Sequence, residues 1–409
     1  MRKKQQNKIG LIIIFIFCSF LITSRILISY PKNTSFLFWF PKSNGHPFQI
    51  HATWSLENAS ESITITWRTE TSTDAVLKYD ITSRNGNFSQ YLMEKVADVQ
   101  SFKGYINSAN ISNLLPNTTY YFICGSEDGG WSSELKFKTP SLFPKEVNFV
   151  AGGDSRTGVE IRNEISNLMA QYNPEFVLHT GDIVDKGDIQ GLWDVWFNGM
   201  QKYWKTNENY TIPIIPSLGN HERNADNYYK QFALPNNEQW YSIDYSSLIH
   251  IISLNSETNI DGAQLTWLQN DLENHKTVPW KFVIFHQPPY SSGYHGSRMD
   301  IRNLWSPIFD QYNVTIVFNG HDHNYERSKP IRNNSVANSY ENGTMYVVSG
   351  GWGAPLRNVL SNWWTNKSES EYHFCLINIS TNGNNSTLTM NEIRLNGTIG
   401  DTVSINKIW

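Results

Sequence analysis

Residues 314–323 read Val-Thr-Ile-Val-Phe-Asn-Gly-His-Asp-His, a short apolar run that ends in a glycine and two histidines one residue apart. Such a run, bounded by a turn residue, suits a buried strand. The glycine lets the backbone bend sharply beneath the polar residues that follow. The same grammar occurs four times upstream. Residues 147–150 lead to Gly152-Gly153-Asp154, 176–178 to Gly181-Asp182, 214–218 to Gly219-Asn220-His221-Glu222, and 282–285 to His286. Helical periodicities lie between them. Ile161, Ile165, Leu168, Met169 and Tyr172 share one face, as do Leu265, Leu268 and Leu272, and then Ile301, Leu304, Trp305, Ile308, Phe309 and Tyr312. Strand–helix alternation predicts an α/β sheet flanked by helices. Ligands of open α/β sheets bind beyond the carboxyl ends of the strands. Five segments are therefore expected to bring a carboxylate, an amide or an imidazole to one edge.

The set that collects there is Asp154, Asp182, Asn220, His286, His321 and His323. Two aspartates, one asparagine and three histidines suit Fe, Mn or Zn, and Mg less well. Six side chains exceed what one tetrahedral ion needs. With one aspartate bridging, they suit two ions about 3.5–4 Å apart. Each piece alone has a plainer reading. Gly-Asp after a strand is usually a turn, a histidine at a strand end is usually a hydrogen-bonded structural residue, and Gly-His-x-His fits a surface loop. Their order, each behind its own strand, carries the metal reading.

The first third of the chain has another texture. From 47 to 140 short strands alternate with turns. Residues 63–67 (Ile-Thr-Ile-Thr-Trp) have period two, as a half-buried strand does, and 76–79, 105–106 and 120–123 read similarly. Asn85-Gly86 and Asp128-Gly129-Gly130 are turn signals. With no amphipathic helix in this stretch, a β-sandwich is expected. The last ~35 residues return to strands, at 374–379 and 387–393.

Residues 1–30 carry Arg2, Lys3, Lys4 and Lys8 ahead of an apolar run from Ile9 to Ile22 and a shorter one from Ile26 to Tyr30. A basic stretch before an apolar one is an export signal, either a cleaved signal peptide or an uncleaved anchor. No small-residue cleavage site is visible, which favours the anchor. Residues 31–46 read as a linker. Everything beyond is expected to be extracytoplasmic, secreted or tethered to the membrane. Sequons at Asn33, Asn58, Asn87, Asn110, Asn117, Asn209, Asn313, Asn333, Asn342, Asn366, Asn378, Asn384, Asn385 and Asn396 agree, because glycans are added only to exported chains. A net charge of −4 gives no basic face for nucleic acid, so none is expected as a partner. Aromatics at 14% exclude a mainly disordered chain. Cys18 lies in the apolar run, so Cys124–Cys375 is the one disulfide available, and it is disfavoured because its halves fall in different domains.

These blocks resemble the calcineurin-like metallophosphoesterases, and among them the purple acid phosphatases. The likeness covers most of 47–360 and includes Tyr241-Ser242-Ile243-Asp244-Tyr245, His250-Ile251-Ile252-Ser253-Leu254, Gly320-His321-Asp322-His323-Asn324-Tyr325-Glu326-Arg327 and Tyr346-Val347-Val348-Ser349-Gly350-Gly351. It implies an α/β/β/α metallophosphoesterase sandwich over 141–409. Ahead of it, over 47–140, it implies a small all-β fibronectin type III-like domain, with Tyr120 of Leu115-Pro116-Asn117-Thr118-Thr119-Tyr120 tying its hydroxyl back to the backbone. By the same resemblance Asp154 and His323 would hold the first metal, Asp182 would bridge, and Asn220, His286 and His321 would hold the second. His221 would sit near the substrate phosphate. His295, nine residues past His286, would contact substrate or protonate the leaving group.

Two departures stand out. The purple family has a tyrosine three residues after the bridging aspartate, where this chain has Asp185. The wider family has a histidine two residues after the first aspartate, where this chain has Arg156. The first metal therefore lacks the fourth protein ligand of either pattern, and Asp185, a water or another residue must complete it. Arg156 either pairs with a substrate phosphate, for which its fork is suited, or forms a salt bridge with an acid such as Asp185 or Glu222. The function expected is acid phosphatase-like hydrolysis of phosphate monoesters by a hydroxide held between two metal ions (Fe, Mn or Zn), with small phosphate esters as substrates. The alternatives are a phosphodiesterase or nucleotidase on the same scaffold, and a surface binding or adhesion protein whose metal site has decayed. Oligomeric state has no sequence signal.

Overall fold

The computed structural model describes residues 45–408; the signal or anchor segment and nearly all of the linker lie outside the described residues. Among the described residues no helix is long and apolar enough to cross a membrane.

The N-terminal strands form two facing sheets. One has the order Phe48–Thr53, Ser62–Thr69, Tyr105–Ser112, Asp98–Ser101. The other runs Met93–Val96, Val76–Asp80, Thr119–Ser126, with Gly130–Trp131 and Leu135–Lys138 both paired to the last of these. Trp67, Leu77, Phe122 and Phe137 fill the space between them. Tyr120 makes the expected corner, its hydroxyl accepting the Leu115 N–H at 2.9 Å. The alternating segment 63–67 is not half-buried. Every residue of Ser62–Thr69 is buried, because the strand is central and its polar face is also covered. On that face Thr66 meets Ser108, and Arg68 ion-pairs with Asp194 of the following domain.

The α/β part contains two mixed sheets. Glu146–Gly152, Val177–His179 and Ile214–Pro216 run parallel, and an antiparallel meander of His373–Asn382, Asn385–Arg394 and Ile399–Ile408 extends that sheet on its other side. The second sheet has seven strands in the order Tyr241–Ser246, Ile249–Ser253, Trp280–Ile284, Ile316–Asn319, Met345–Ser349, Tyr325–Ser328, Thr365–Glu369. The two pack face to face. Phe149 of the first touches Phe282 of the second, with ring centroids 5.1 Å apart. Alternation decides the layers. Phe282 and Ile284 point to the core shared between the sheets, while Val283 and Phe285 point to an outer core with Leu268, Leu272, Ile301 and Trp305. The five polar tips therefore converge from two sheets and not from the edge of one, as the strand pattern alone suggested. Three come from the first sheet and two from the second.

The helices are α1 (Val159–Gln171), α2 (Gln190–Tyr203), α3 (Asp226–Gln231), α4 (Gly262–Asn274) and α5 (Met299–Gln311). α1, α4 and α5 follow the periodicities read above. The stretch around 193–204 reads in sequence as an aromatic, specificity-shaping loop, but most of it is α2. Trp193, Trp196, Phe197 and Met200, spaced i, i+3, i+4 and i+7, are buried against the first sheet. Cys124 and Cys375 are free and buried.

Candidate metal centre

Four of the five strand tips turn on a glycine or a strained residue; the tip bearing His286 does not. Asp154, Asp182 and His321 have φ of 61°, 55° and 70°, a left-handed conformation that costs a side-chain-bearing residue of order 1–3 kcal/mol and concentrates at functional sites. Two glycines make room for the carboxylates. A Cβ on Gly320 would lie 2.3 Å from Asp154 Oδ2, and one on Gly219 would lie 2.4 Å from Asp182 Oδ1.

Four ligand atoms converge at one point. Asn220 Oδ1 lies 3.0 Å from both His286 Nε2 and His321 Nδ1, which are 3.2 Å from each other, and Asp182 Oδ1 is 3.3 Å from His286 Nε2. Atoms bonded at about 2.1 Å to one ion, roughly 90–100° apart, are separated by about this much. His286 Nδ1 donates to the Thr180 carbonyl at 3.0 Å, which orients Nε2 toward that point. Its ring stands at 76° to that of His321, so the two nitrogens converge.

Beside this lies a second group. Asp154 is fully buried, and its Oδ1 has no hydrogen bond, though His323 Nε2 is 3.4 Å away. His323 Nδ1 donates to the Pro355 carbonyl at 2.8 Å, again freeing Nε2. A buried carboxylate oxygen without a donor is costly unless a cation serves it. A ligand oxygen each of Asp154 and Asp182 and a ring nitrogen of His286 lie within 4.8 Å of one another, and Asp182 Oδ2 also meets Arg156 Nε at 3.6 Å and His221 Nε2 at 3.8 Å. The residues present thus fit two cations sharing Asp182.

Charge responds in the same sense. Burial works to lower the pKa of His286, but the carboxylate of Asp182 prevails and holds it well above the usual histidine range. Burial and the charge on His286 push His321 down to about 2, leaving a neutral imidazole. The pocket demands positive charge and keeps a ligand histidine deprotonated.

Arg156 and Asp185, the two departures read in the sequence, pair with each other. Arg156 Nη1 donates to Asp185 Oδ1 at 2.6 Å, so Asp185 and not Glu222 is the partner of Arg156. His221 Nδ1 donates to the Asp185 carbonyl at 2.7 Å, leaving its Nε2 facing the centre. His295 packs on His321, with ring centroids 4.1 Å apart, and its main-chain N–H donates to Asp322 Oδ1 at 2.9 Å. Burial, with Arg357 behind it, lowers the pKa of His295.

Several supporting residues escape a strand-end reading. The Glu222 carboxylate accepts the N–H groups of Asp182, Ile183, Val184 and Gly219 at 2.7–3.1 Å, pinning the bridging aspartate to the Asn220 loop. Burial and the Asp182 charge push its pKa up to about 8. Ser155 Oγ links His179 Nε2 at 2.8 Å and Trp196 Nε1 at 2.9 Å, tying the Asp154 loop to α2. Asp322 holds both His295 and Ser291. Arg357 contacts His295 Nε2. Glu222 and Asp322 sit inside quoted motifs, but their contacts are tertiary. Arg357 has no motif signal at all.

Two family models match in tandem. Residues 158–325 match the calcineurin-like phosphoesterase family, and residues 47–139 match the purple acid phosphatase N-terminal domain. The chain thus joins a purple acid phosphatase N-terminal domain to a calcineurin-like phosphoesterase domain, and it is similar to purple acid phosphatases. Purple acid phosphatase 22 of Arabidopsis thaliana is 31% identical over 252 residues, 57% of this chain and 56% of that one. The Fe(3+)-Zn(2+) purple acid phosphatase 12 of the same plant is 29% identical over 273 residues, 60% of this chain and 56% of that one. The chain thus spans a little over half the length of these two relatives. A purple acid phosphatase from yellow lupin (Lupinus luteus) seeds has the same fold, with a TM-score of 0.77 over 89% of this chain and 75% of that one at 20% identity.

Proposed function

We propose that this metallophosphoesterase is an exported phosphatase that hydrolyses phosphate monoesters at a centre of two metal ions. The observation that carries the reading is the convergence of Asn220 Oδ1, His286 Nε2, His321 Nδ1 and Asp182 Oδ1 within 3.0–3.3 Å, beside the undonated Asp154 Oδ1. Asp182 and Asn220 with His286 and His321 would hold one ion, and Asp154, His323 and Asp182 the other. When bound, such a pair lowers the pKa of water and stabilises charge on phosphoryl oxygens. Iron and zinc, named for a relative, are the first candidates. Manganese shares their ligand preference.

The protein's own groups supply the rest. His221, fixed by the Asp185 carbonyl, presents Nε2 to a phosphoryl oxygen. His295, whose main-chain N–H is held by Asp322 and whose Nε2 accepts from Arg357, would carry its proton on Nδ1 and pass it to the leaving alcohol. Arg156, already paired with Asp185, holds the Asp182 side of the site instead of a substrate oxygen. Export is supported by the basic and apolar N-terminal residues. It is supported too by the placement of the sequons: apart from the half-buried Asn110, every sequon asparagine among the described residues is exposed.

The reading is tested by metal analysis of the purified full chain, paired with turnover of an aryl monoester and the matching diester. Two ions per chain and faster monoester turnover are expected. Fewer than one ion per chain with no turnover overturns the reading, and faster diester turnover shifts it to a phosphodiesterase.

A further inference from the structure

A groove of about 570 Å³ runs between the N-terminal sandwich and the α/β domain. That volume falls within the ~300–1,000 Å³ of small-ligand sites. One wall comes from the sandwich and the segment that leaves it, with Asn117, Lys138 and Phe143. The other comes from the loops ahead of the strands Val177–His179 and Ile214–Pro216, with Pro174, Glu208 and Tyr210. None of the groups assigned to the metal centre lines it.

The wall itself contains an acceptor for modification. Asn117 opens the sequon Asn117-Thr118-Thr119 and is exposed. Its main chain is fixed: its N–H donates to the Pro140 carbonyl at 2.9 Å, and the Thr118 N–H donates to Thr139 Oγ1 at 2.9 Å. Its φ of 52° is a left-handed turn that asparagine tolerates better than most residues. Its carboxamide makes no hydrogen bond among the described residues, so the nitrogen that would carry a sugar is unengaged. In Asn58 and Asn342, by contrast, that nitrogen donates to Glu61 and to Ser339. Thr119 completes the sequon, and its Oγ1 meets the Tyr210 hydroxyl at 2.9 Å, so the sequon reaches across to the α/β domain. Asn209 also lies beside the groove, but only Tyr210 and Thr211 of its sequon line it.

The groove has the chemistry of a saccharide site. Phe143, between the last sandwich strand and the first strand of the α/β domain, is 76% exposed. A pyranose ring lays its C–H face on such an aromatic surface and hides it from water. Glu208 and Lys145, which also line the groove, make no side-chain hydrogen bond or ion pair among the described residues. A sugar hydroxyl is both donor and acceptor and serves either sign. Weak contacts suffice, because a tethered sugar binds intramolecularly at an effective concentration on the order of millimolar.

We propose that Asn117 carries an N-linked glycan whose first sugars lie in this groove and staple the sandwich to the α/β domain. The inference rests on the export reading above, since glycans are added only to exported chains. In the transfer, Asn117 Nδ2 loses one proton and bonds to the anomeric carbon of an oligosaccharide pyrophosphate donor. The bond from that carbon to the phosphate oxygen breaks, and its electron pair leaves on the pyrophosphate.

The test uses the full chain exported by a eukaryotic host. Glycopeptide mass spectrometry is expected to find Asn117 occupied. A peptide-N-glycosidase acting on the native protein is expected to release the Asn117 glycan about tenfold or more slowly than the glycans at other occupied sequons, with the difference lost on denaturation. Phe143→Ser keeps the sequon and should remove most of that protection. In Asn117→Asp, amide hydrogen exchange over 139–146 and 206–213 should rise about tenfold, while Asn342→Asp leaves it unchanged. Aspartate keeps the left-handed turn and is the residue that enzymatic release leaves behind, so stripped wild type should match Asn117→Asp. Release from Asn117 as fast as from the other sequons, or unchanged exchange in Asn117→Asp, overturns the inference. An empty Asn117 on a chain glycosylated elsewhere overturns it while export stands; a chain with no sugar at any sequon overturns the export reading with it.

Discussion

Two clusters of histidine and aspartate lie at opposite ends of the seven-stranded sheet, and their composition is nearly the same. One follows the strands Trp280–Ile284 and Ile316–Asn319 and contains Asp154, Asp182 and His286. The other contains Asp244, His250 and His275, with Asp271 behind them, near the start of Ile249–Ser253. In the second, the carboxylates are served by the protein itself. His250 meets Asp244 Oδ1 at 2.7 Å and Asp271 Oδ2 at 2.8 Å, Ser242 donates to Asp271 Oδ1 at 2.8 Å, and His275 Nε2 approaches Asp244 Oδ2 at 3.4 Å. Its two imidazoles are stacked, 3.8 Å apart and 15° from parallel, so their in-plane lone pairs run side by side and cannot chelate one ion. In the first cluster the rings of His286 and His321 converge at 76°, and an aspartate oxygen is left without a donor. Residue types alone do not separate a metal centre from an ionic clamp; ring orientation and unmet hydrogen bonding do. The clamp has a place in the architecture. The main chain of Asp244 exchanges hydrogen bonds with Glu57 and Ala59 of the N-terminal sandwich, at 2.8 and 3.1 Å.

The contrast breaks most directly at Asp182. Asp182→Ala is expected to cut hydrolysis by about 10³-fold or more and to reduce bound metal, while circular dichroism stays native. Near-normal turnover would remove Asp182 from the centre. At the next level, His295→Ala is expected to slow esters with poor leaving groups by about 10²–10⁴-fold and aryl esters much less. An equal loss on both assigns His295 to binding.

The clamp predicts the opposite pattern. His250→Ala strands two carboxylates that had shared one imidazole, and breaking a buried pair this way costs about 3–5 kcal/mol. Denaturant unfolding should register that loss while the metal content of the folded protein is unchanged; a loss of one ion per chain would mean that the clamp is itself a metal site. Its pH response is fixed in sign. The hydrogen bond to Asp244 raises His275 from 6.5 to about 9, so its stabilisation is full below pH 6.5 and is lost as the pH rises through 9. The neighbouring His250, raised by Asp244 and Asp271 against its burial, acts in the same direction. Unfolding midpoints measured from pH 6 to 9 should decline, and less steeply in His275→Gln; identical slopes would place the titration elsewhere. The smallest expected effect is spectroscopic. If Asp185, which is paired with Arg156, stands where the resemblance puts the colour-giving phenolate of purple phosphatases, the iron-loaded, oxidised protein should be colourless or faintly coloured. An intense visible band that bleaches on reduction would require a tyrosine ligand from elsewhere.

The sequence by itself determined the strand tips. Asp154, Asp182, Asn220, His286, His321 and His323 each follow an apolar run, because chain continuity and turn chemistry place a polar residue directly after a buried strand. It also held α2 in the spacing of Trp193, Trp196, Phe197 and Met200, a helical face easily read as an aromatic loop because Gly191 and Gly199 interrupt it. Only the tertiary structure decided that the tips come from two sheets, since pairing between distant strands leaves no local periodicity. Only it assigned Arg156 to Asp185 and left Arg357, two hundred residues further along, without a carboxylate partner among the described residues, beside His295. Whether a charge is neutralised by a neighbour or kept free for a ligand depends on distances of a few ångströms between segments far apart in the chain.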